Sequence, residues 1–522
     1  RFQDVLDGFR DGFDQGIPEH RLSKDLPYFT PPNHTSALMA KDKIEASIRK
    51  ELEAGRMFGP FTYDQVQQRY SFFRTNPLGA VINGDGSLRP INDLSFPRGE
   101  TGIPSVNSFV DASEFKTSWD DFNAVANFLK EQKEPVLLAL FDWEKAYRQI
   151  PTAPAQWPYL MVRDFDDRLL LDTRITFGGV AGCGSFGRPA DAWKELMMAE
   201  FDVLNVFRWV DDNLFVKRPS SGTLMADIVK RSDELGVKTN KEKYSPFLEE
   251  QKYVGFVWNG TDKTVRLPEA KLTKRINQIR SFLEIGATFA YNDVEVIAGR
   301  LNHVAYILPQ LRCYLCGLYR WLMNWVHRET ARPLPPDAEE DLHMWLTTLS
   351  NFKPTRLIAR QEPTEVGWVG DASTGFGIGV LIGKRWAQFR LQSMAELDKN
   401  IDEEKREEER IARLETIAVR LGLMMLIKLG ARGGKTFIVW TNNTTTESVI
   451  TKRKSKDRFV NAEWKKIQAT LIENQINLVA KRVTSAENRA DELSRGIRRN
   501  HRTRYQLRVG VPHDLEELIE QV

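Results

Sequence analysis

The spacing of apolar and polar residues divides the chain into stretches of different character. Residues 36–54 (SALMAKDKIEASIRKELEA) alternate at helical period and end at Gly55, which predicts an amphipathic helix. From about Phe72 to Trp258, short β-rich runs punctuated by Gly and Pro are mixed with helical stretches, the pattern of an α+β domain. Two runs stand out. Val136–Trp143 (VLLALFDW), introduced by Pro135, is continuously apolar until Asp142, as in a strand buried on both faces. Phe207–Val216 (FRWVDDNLFV) is two β-prone halves meeting at Asp211-Asp212-Asn213, which predicts a hairpin with adjacent acids at its turn. Residues 266–350 are strongly helical, with a Pro-rich hinge expected at Arg332–Glu340. After Pro354 the pattern changes again: strand signals at 365–390, a long helix at about 408–429, a strand at Thr436–Trp440 and more helix at 458–474. That order predicts a compact α/β unit of about 140 residues. No internal repeat is present, and the one biased segment, Asp402–Glu409 (DEEKREEE), reads as a solvated helix face.

With 522 residues the chain exceeds one core and is expected to hold about three or four domains. Its 41% hydrophobic and 28% charged residues are those of an ordinary globular protein. The longest apolar stretches are far short of the ~18 residues a bilayer span needs, and the charged N-terminus is unlike a secretion signal, so no membrane association is expected. Starting at Arg1, the chain reads as a piece of something longer, such as a polyprotein fragment. Three cysteines (Cys183, Cys313, Cys316) leave an odd one out, which argues against a disulfide framework and points to a reducing, cytoplasmic or nuclear setting. The lone Cys313-x-x-Cys316 lacks a second ligand pair and is assigned to helix structure rather than zinc. Three motifs fail: Gly430–Thr436 (GARGGKT) is one residue short of a phosphate loop and precedes a strand, Gly375–Gly379 (GFGIG) suits a tight turn, and His501-x-x-Arg504 has no following tyrosine nucleophile.

Neighbouring carboxylates repel unless they are solvated or bridged by a cation. If Asp142 lies beside Asp211 and Asp212, three acids could hold two Mg²⁺ ions about 3.5–4 Å apart, with Mn²⁺ an alternative, an arrangement that activates a 3′-hydroxyl and stabilises leaving pyrophosphate. Here the sequence resembles reverse transcriptases. Asp142-Trp-Glu-Lys-Ala-Tyr147-Arg-Gln-Ile-Pro151 is similar to their first catalytic block, and Trp209-Val-Asp211-Asp212 to their aromatic-x-Asp-Asp block. Between them, Thr176-Phe177-Gly178-Gly179 resembles a Leu-Pro-Phe-Gly block without its prolines. Upstream, Leu88-Arg89-Pro-Ile-Asn-Asp93 resembles the segment whose arginine meets the incoming triphosphate. Downstream, Asn240–Lys243 and Val254-Gly255-Phe256 resemble the lysine block and primer-grip hairpin. The resemblance implies metal binding by Asp142, Asp211 and Asp212, and dNTP contacts from Arg89, Tyr147, Phe177, Gly178 and Lys243. Tyr147 falls where the family places the aromatic that blocks a ribose 2′-hydroxyl.

A second constellation lies further on. GWVGDAST puts Asp371 at a strand end, RLETIAVRLG puts Glu415 on the inward face of a helix, FIVWTNN puts Asn442 at another strand end, and Asn488-Arg-Ala-Asp491-Glu-Leu-Ser-Arg495 opens a helix with Asp491. This set resembles RNase H, which implies metal at Asp371, Glu415 and Asp491 and cleavage of the RNA strand of a hybrid. Asn442 stands where the family has its third acid; an amide oxygen carries no charge, so loss of most hydrolytic activity is expected. Together with GFRDGFDQGIP, NPLGAV and VPHDL, these blocks resemble the DIRS-like, tyrosine-recombinase retrotransposons.

The fold implied is an α+β polymerase right hand of fingers, palm and thumb, then a helical connection and an α/β RNase H-like domain. The expected boundaries are an N-terminal helical extension (1–70), fingers and palm (71–265), thumb and connection (266–354), RNase H-like domain (355–500) and a tail (501–522). Expected partners are RNA template, DNA primer, RNA/DNA hybrid and dNTPs. The rival reading is a catalytically dead nucleic-acid-binding scaffold that keeps both folds. The net charge of +3 hides a local asymmetry: residues 431–510 hold 18 Lys and Arg against 7 Asp and Glu, an excess of 11 that leaves −8 for the rest. Lys452, Arg453, Lys454 and Lys456 lie in its densest run and form an expected track for a hybrid's phosphates.

Overall fold

In the computed structural model, which describes residues 1–82, 88–99, 102–356, 362–398, 406–499 and 501–522, the apolar run before Asp142 forms the strand Leu137–Asp142. It pairs antiparallel with Asp212–Lys217, which pairs antiparallel with Asn205–Trp209. The helix Gly182–Glu200 contributes Phe186, Trp193 and Met197 to a core shared with Phe141, Trp143 and Phe215 from the sheet side. Trp193 also satisfies its indole N–H on Ser232 at 2.9 Å, so the helix is fixed in rotation as well as by burial.

The chain divides into two units, Arg1–Asp262 and Lys263–Val522. In the first, residues 1–70 are not a purely helical extension. Met57–Phe61 is a strand paired with Leu169–Asp172, and Tyr28–Phe29 pairs with Phe73–Arg74. The helix expected at 36–54 is split into Thr35–Met39 and Lys41–Glu53. Its last turn carries Glu51 into a buried ionic network. Arg56 reaches Glu51 at 2.7 Å, Lys145 at 2.8 Å and Arg148 at 3.0 Å, while Arg148 also bridges to Asp172 at 2.9 Å. Burial pushes the Glu51 carboxyl up, but the hydrogen bonds and charges of Arg56, Arg148 and Lys145 hold it at about 2. Removing one member of such a network strands the others in the interior. Arg148→Met is therefore expected to lower unfolding stability by about 3–5 kcal/mol, measured by urea denaturation; a loss below ~1 kcal/mol would show that the network adds nothing.

The second unit begins with helices Glu269–Phe282, Tyr291–Val304, Cys316–Met323 and Pro336–Ser350. The expected hinge at 332–340 is structured: Arg332–Pro333 pairs with Thr288–Phe289, and Pro336 opens the next helix, where its missing N–H costs nothing. A six-stranded sheet follows in the order Asn477–Arg482, Thr436–Thr441, Thr364–Ala372, Gly377–Ile382, Arg385–Leu391, Ile519–Gln521. The first three are mutually parallel and the rest antiparallel. The last strand corrects the expectation of a C-terminal tail, because Ile519–Gln521 covers the open edge of Arg385–Leu391. Asp514 anchors the same segment through Arg420 at 2.8 Å, which holds its carboxyl well below the usual range. Helix Arg406–Lys428 lies close on the sheet at Gly422, where a Cβ would meet Trp368 Nε1 at 2.3 Å. Part of the acidic run, residues 402–405, lies outside the described residues.

Candidate active sites

The first constellation is assembled by strand register. Asp142 and Asp212 are direct partners across the antiparallel pair, and Trp209 pairs with Asp212, leaving Val210-Asp211 as a two-residue loop. Val210 has φ +53°, a left-handed conformation that a β-branched side chain rarely adopts, and its side chain packs against the core beneath. The turn is thereby held with Asp211 and Asp212 at its tip. Asn213 braces it, donating to the carbonyls of Phe141 (3.2 Å) and Asp211 (2.9 Å). Asp142 is buried, and Lys243 Nζ sits 3.0 Å from its Oδ2.

The electrostatics are those of acids held together without enough opposing charge. Partial burial, a hydrogen bond to Asp142 and repulsion from Asp211 and Asp142 push the Asp212 carboxyl up to about 7. Asp211 is raised by burial and by the Asp142 charge, with Lys243 and Arg89 opposing. Hard oxygen donors that repel one another suit a divalent cation. Among the described residues, however, no three His, Cys, Asp or Glu side chains are drawn into a closed metal-binding cluster; Asp142 and Asp212 face each other, and Lys243 takes up part of the charge.

The expected dNTP-contact residues fall into two places. The guanidinium of Arg89 lies 5.1 Å over the ring of Phe177, which stacks on Tyr147 at 5.1 Å and 24°. Burial first, then a hydrogen bond with Cys183, raises the Tyr147 hydroxyl pKa. Gly178 allows this stack to sit against the strand Leu88–Asn92: a Cβ there would lie 1.9 Å from the Asn92 carbonyl oxygen. Asn107 holds the turn, donating to the Gly178 carbonyl at 2.8 Å. Lys243 stands apart from that stack, on Asp142.

The second constellation centres on Asp371. Its Oδ1 accepts from Asn488 at 2.7 Å and from Asn442 Nδ2 at 3.4 Å, and its Oδ2 accepts from the Ser494 hydroxyl. Glu415 Oε1 accepts from the Ala372 N–H at 3.3 Å; burial and then the Asp371 charge push it up to about 8. Asp491 lies near enough to raise Asp371 further, while its own carboxylate is held by Arg495 at 3.0 Å. Asn442 turns its amide nitrogen toward Asp371 and Ser485, leaving its Oδ1 buried without a partner. Asn213, Asn107, Asn488 and Ser494 were not singled out from sequence, although the last two lie in the quoted block with Asp491.

The basic run is divided. Lys452, Lys454 and Lys456 are exposed, whereas Arg453 occupies the left-handed C-cap of helix Thr444–Lys452, reaches Asn477 at 3.4 Å, and has its pKa lowered by burial and by Arg312. Arg453 is thus half-buried against Asn477, while the three lysines are exposed.

No protein family and no curated protein matches the sequence. Among solved structures, the chain is similar to a foamy viral protease-reverse transcriptase in complex with an RNA/DNA hybrid (TM-score 0.48, 13% identity, 87% of this chain and 55% of that one). It is also similar to the dRH form of that protein with double-stranded DNA (TM-score 0.48, 13% identity, 90% and 74%) and to the protein with double-stranded DNA (TM-score 0.46, 13% identity, 89% and 88%). The chain spans about half the length, 55%, of the first of these.

Proposed function

We propose that the chain is an RNA-directed DNA polymerase of a retroelement, of the DIRS-like kind its sequence blocks resemble, with a weakened RNase H domain. The observation that carries this reading is the register that sets Asp142 opposite Asp212 with Asp211 at the adjoining hairpin tip, beside the Arg89–Phe177–Tyr147 stack. Two Mg²⁺ ions held by Asp142, Asp211 and Asp212 would activate a primer 3′-hydroxyl and neutralise a leaving pyrophosphate. The residues themselves do the positioning. Arg89 and Lys243 offset negative charge on the incoming dNTP, Phe177 holds Arg89 and Tyr147 in one stack, and the Tyr147 ring excludes a 2′-hydroxyl. Asp371, Glu415 and Asp491 form the matching acid set of the second unit, where Asn442 in place of a fourth carboxylate weakens cation binding and hydrolysis.

The test is primer extension with Mg²⁺ on an RNA template, compared with a matched DNA template. Extension on RNA supports the reading; none on either template assigns the chain to the scaffold class. For the basic run, Lys452→Gln, Lys454→Gln and Lys456→Gln together are expected to flatten the slope of log affinity against log salt for an RNA/DNA hybrid by roughly 2–3, the loss of about three phosphate contacts. An unchanged slope removes the lysines from the nucleic-acid track.

A further inference from the structure

The ring stack at the first site draws on three segments that are distant in sequence: Arg89 from the strand Leu88–Asn92, Phe177 from the turn after Leu169–Asp172, and Tyr147 from the turn after Asp142. Tyr147 is gripped from the core side, where the buried Phe186 lies 5.5 Å from its ring. Among the described residues, Phe177 has no such anchor. It is 52% exposed, and the backbone bonds of its own turn are long, from the Gly179 N–H to the Thr176 carbonyl at 3.4 Å and from the Gly182 N–H to the Gly179 carbonyl at 3.2 Å. Neither burial nor local hydrogen bonding fixes where this ring stands.

The stronger bonds to the turn come from Asn107, at the start of the short helical turn Asn107–Phe109. Its amide nitrogen donates to the Gly178 carbonyl and to the Ser95 hydroxyl, both at 2.8 Å, and its Oδ1 accepts from the Val180 N–H at 3.0 Å. A backbone N–H can only donate, so the Val180 bond fixes which way the amide faces and commits both of its own donors. The Asn107 backbone N–H adds a bond to the Leu94 carbonyl at 3.0 Å. One side chain therefore ties the turn that carries Phe177 to the segment that continues the Arg89 strand.

We propose that Asn107 is a positioning residue for nucleotide selection: it holds Phe177 against Tyr147 and beneath Arg89, and so sets both dNTP affinity and the exclusion of a ribose 2′-hydroxyl. The inference rests on the polymerase reading, because the stack is assigned there to the incoming nucleotide. Asp142, Asp211 and Asp212 are placed by other means, through strand register and the bracing bonds of Asn213, and the side-chain bonds of Asn107 reach none of them. Loss of Asn107 thus loosens the grip on the nucleotide more than it disturbs the acids.

Single-nucleotide extension on an RNA template, with a dNTP and with the matching rNTP, tests this in Asn107→Ala and Ser95→Ala. For Asn107→Ala the KM for the dNTP is expected to rise roughly tenfold, with a smaller fall in kcat. The preference for dNTP over rNTP in kcat/KM is expected to drop roughly fivefold, as Tyr147 loses a fixed stacking partner. Ser95→Ala removes one of the three side-chain bonds and should move the same two quantities less. A residue needed only for folding would lower the active fraction, and so kcat alone, leaving KM and the preference at parental values. That result, or parental constants in both variants, overturns the proposal. Should Asn107→Ala not fold, Ser95→Ala decides: a raised KM with a weakened preference supports the role, and parental values overturn it. A parent chain that extends on neither RNA nor DNA template sinks the polymerase reading itself, whereas a parent that extends while both variants match it sinks the role of Asn107 alone.

Discussion

Asp142→Asn is expected to lower primer extension on an RNA template by a factor of at least ~10³, because a site of this kind supplies several kcal/mol of charge stabilisation and each ~1.4 kcal/mol is worth tenfold. The substitution keeps the shape of the side chain at a buried strand end, so its effect is on charge rather than packing. It removes the carboxylate that meets both Asp212 across the strand pair and Lys243 at 3.0 Å. The unfolding transition should stay in place or move up, since one repelling acid is gone. The affinity of the parent protein for Mg²⁺ should also rise as pH increases through about 7. Asp212 has its pKa raised to about 7, so below that value it holds a proton, and only above it is the full negative charge of the site available. Extension that survives Asp142→Asn would remove these acids from the reaction.

The features visible in the sequence were those in which chemistry and local pattern coincide. Asp142 ends an apolar run and Asp211-Asp212 interrupts another, so both position and exposure followed from neighbours along the chain. The sheet strands at 364–372, 377–382, 436–441 and the helix Arg406–Lys428 announced themselves in the same way. Pairings made with distant segments left no such trace. Met57–Phe61 (MFGPF) contains Gly and Pro and has poor strand character by itself; its partner Leu169–Asp172 makes it a strand. Ile519–Gln521 is likewise a strand only because Arg385–Leu391 presents an open edge. The side chains that hold Asp371 come from Asn488 and Ser494, more than a hundred residues away, and no periodicity encodes a hydrogen bond of that range. Arg453 reads as one cation among four, and its half-buried place beside Asn477 comes from a contact 24 residues away.

If the second constellation is the weakened hydrolytic site proposed above, Asn442→Asp is expected to raise hydrolysis of the RNA strand of an RNA/DNA hybrid by roughly 10²-fold or more, one carboxylate contributing about 3 kcal/mol to binding and charge stabilisation. The parent arrangement is one that tolerates the lack of a cation. Asn442 offers its amide N–H to Asp371, which relieves some of the negative charge there, and leaves its side-chain Oδ1 buried and unpartnered as the cost. Glu415, already pushed up to about 8 by burial and the Asp371 charge, shows how little further charge the site accepts. A carboxylate at 442 would turn a donor into a repelling acceptor beside Asp371, and the guanidinium of Arg482, which donates to the backbone carbonyl of residue 442 at 2.9 Å, with that of Arg495 near Asp371, would offset only part of that repulsion. Two readouts follow from the same cause. Without Mg²⁺ the variant should melt below the parent, and added Mg²⁺ should raise its melting temperature more than it raises the parent's. Hybrid cleavage should appear only with the cation and should vanish again in Asn442→Asp combined with Asp371→Asn. A variant whose melting temperature ignores Mg²⁺, and whose RNA strand stays intact, would show that position 442 is a structural asparagine and that the second constellation is not a hydrolytic site.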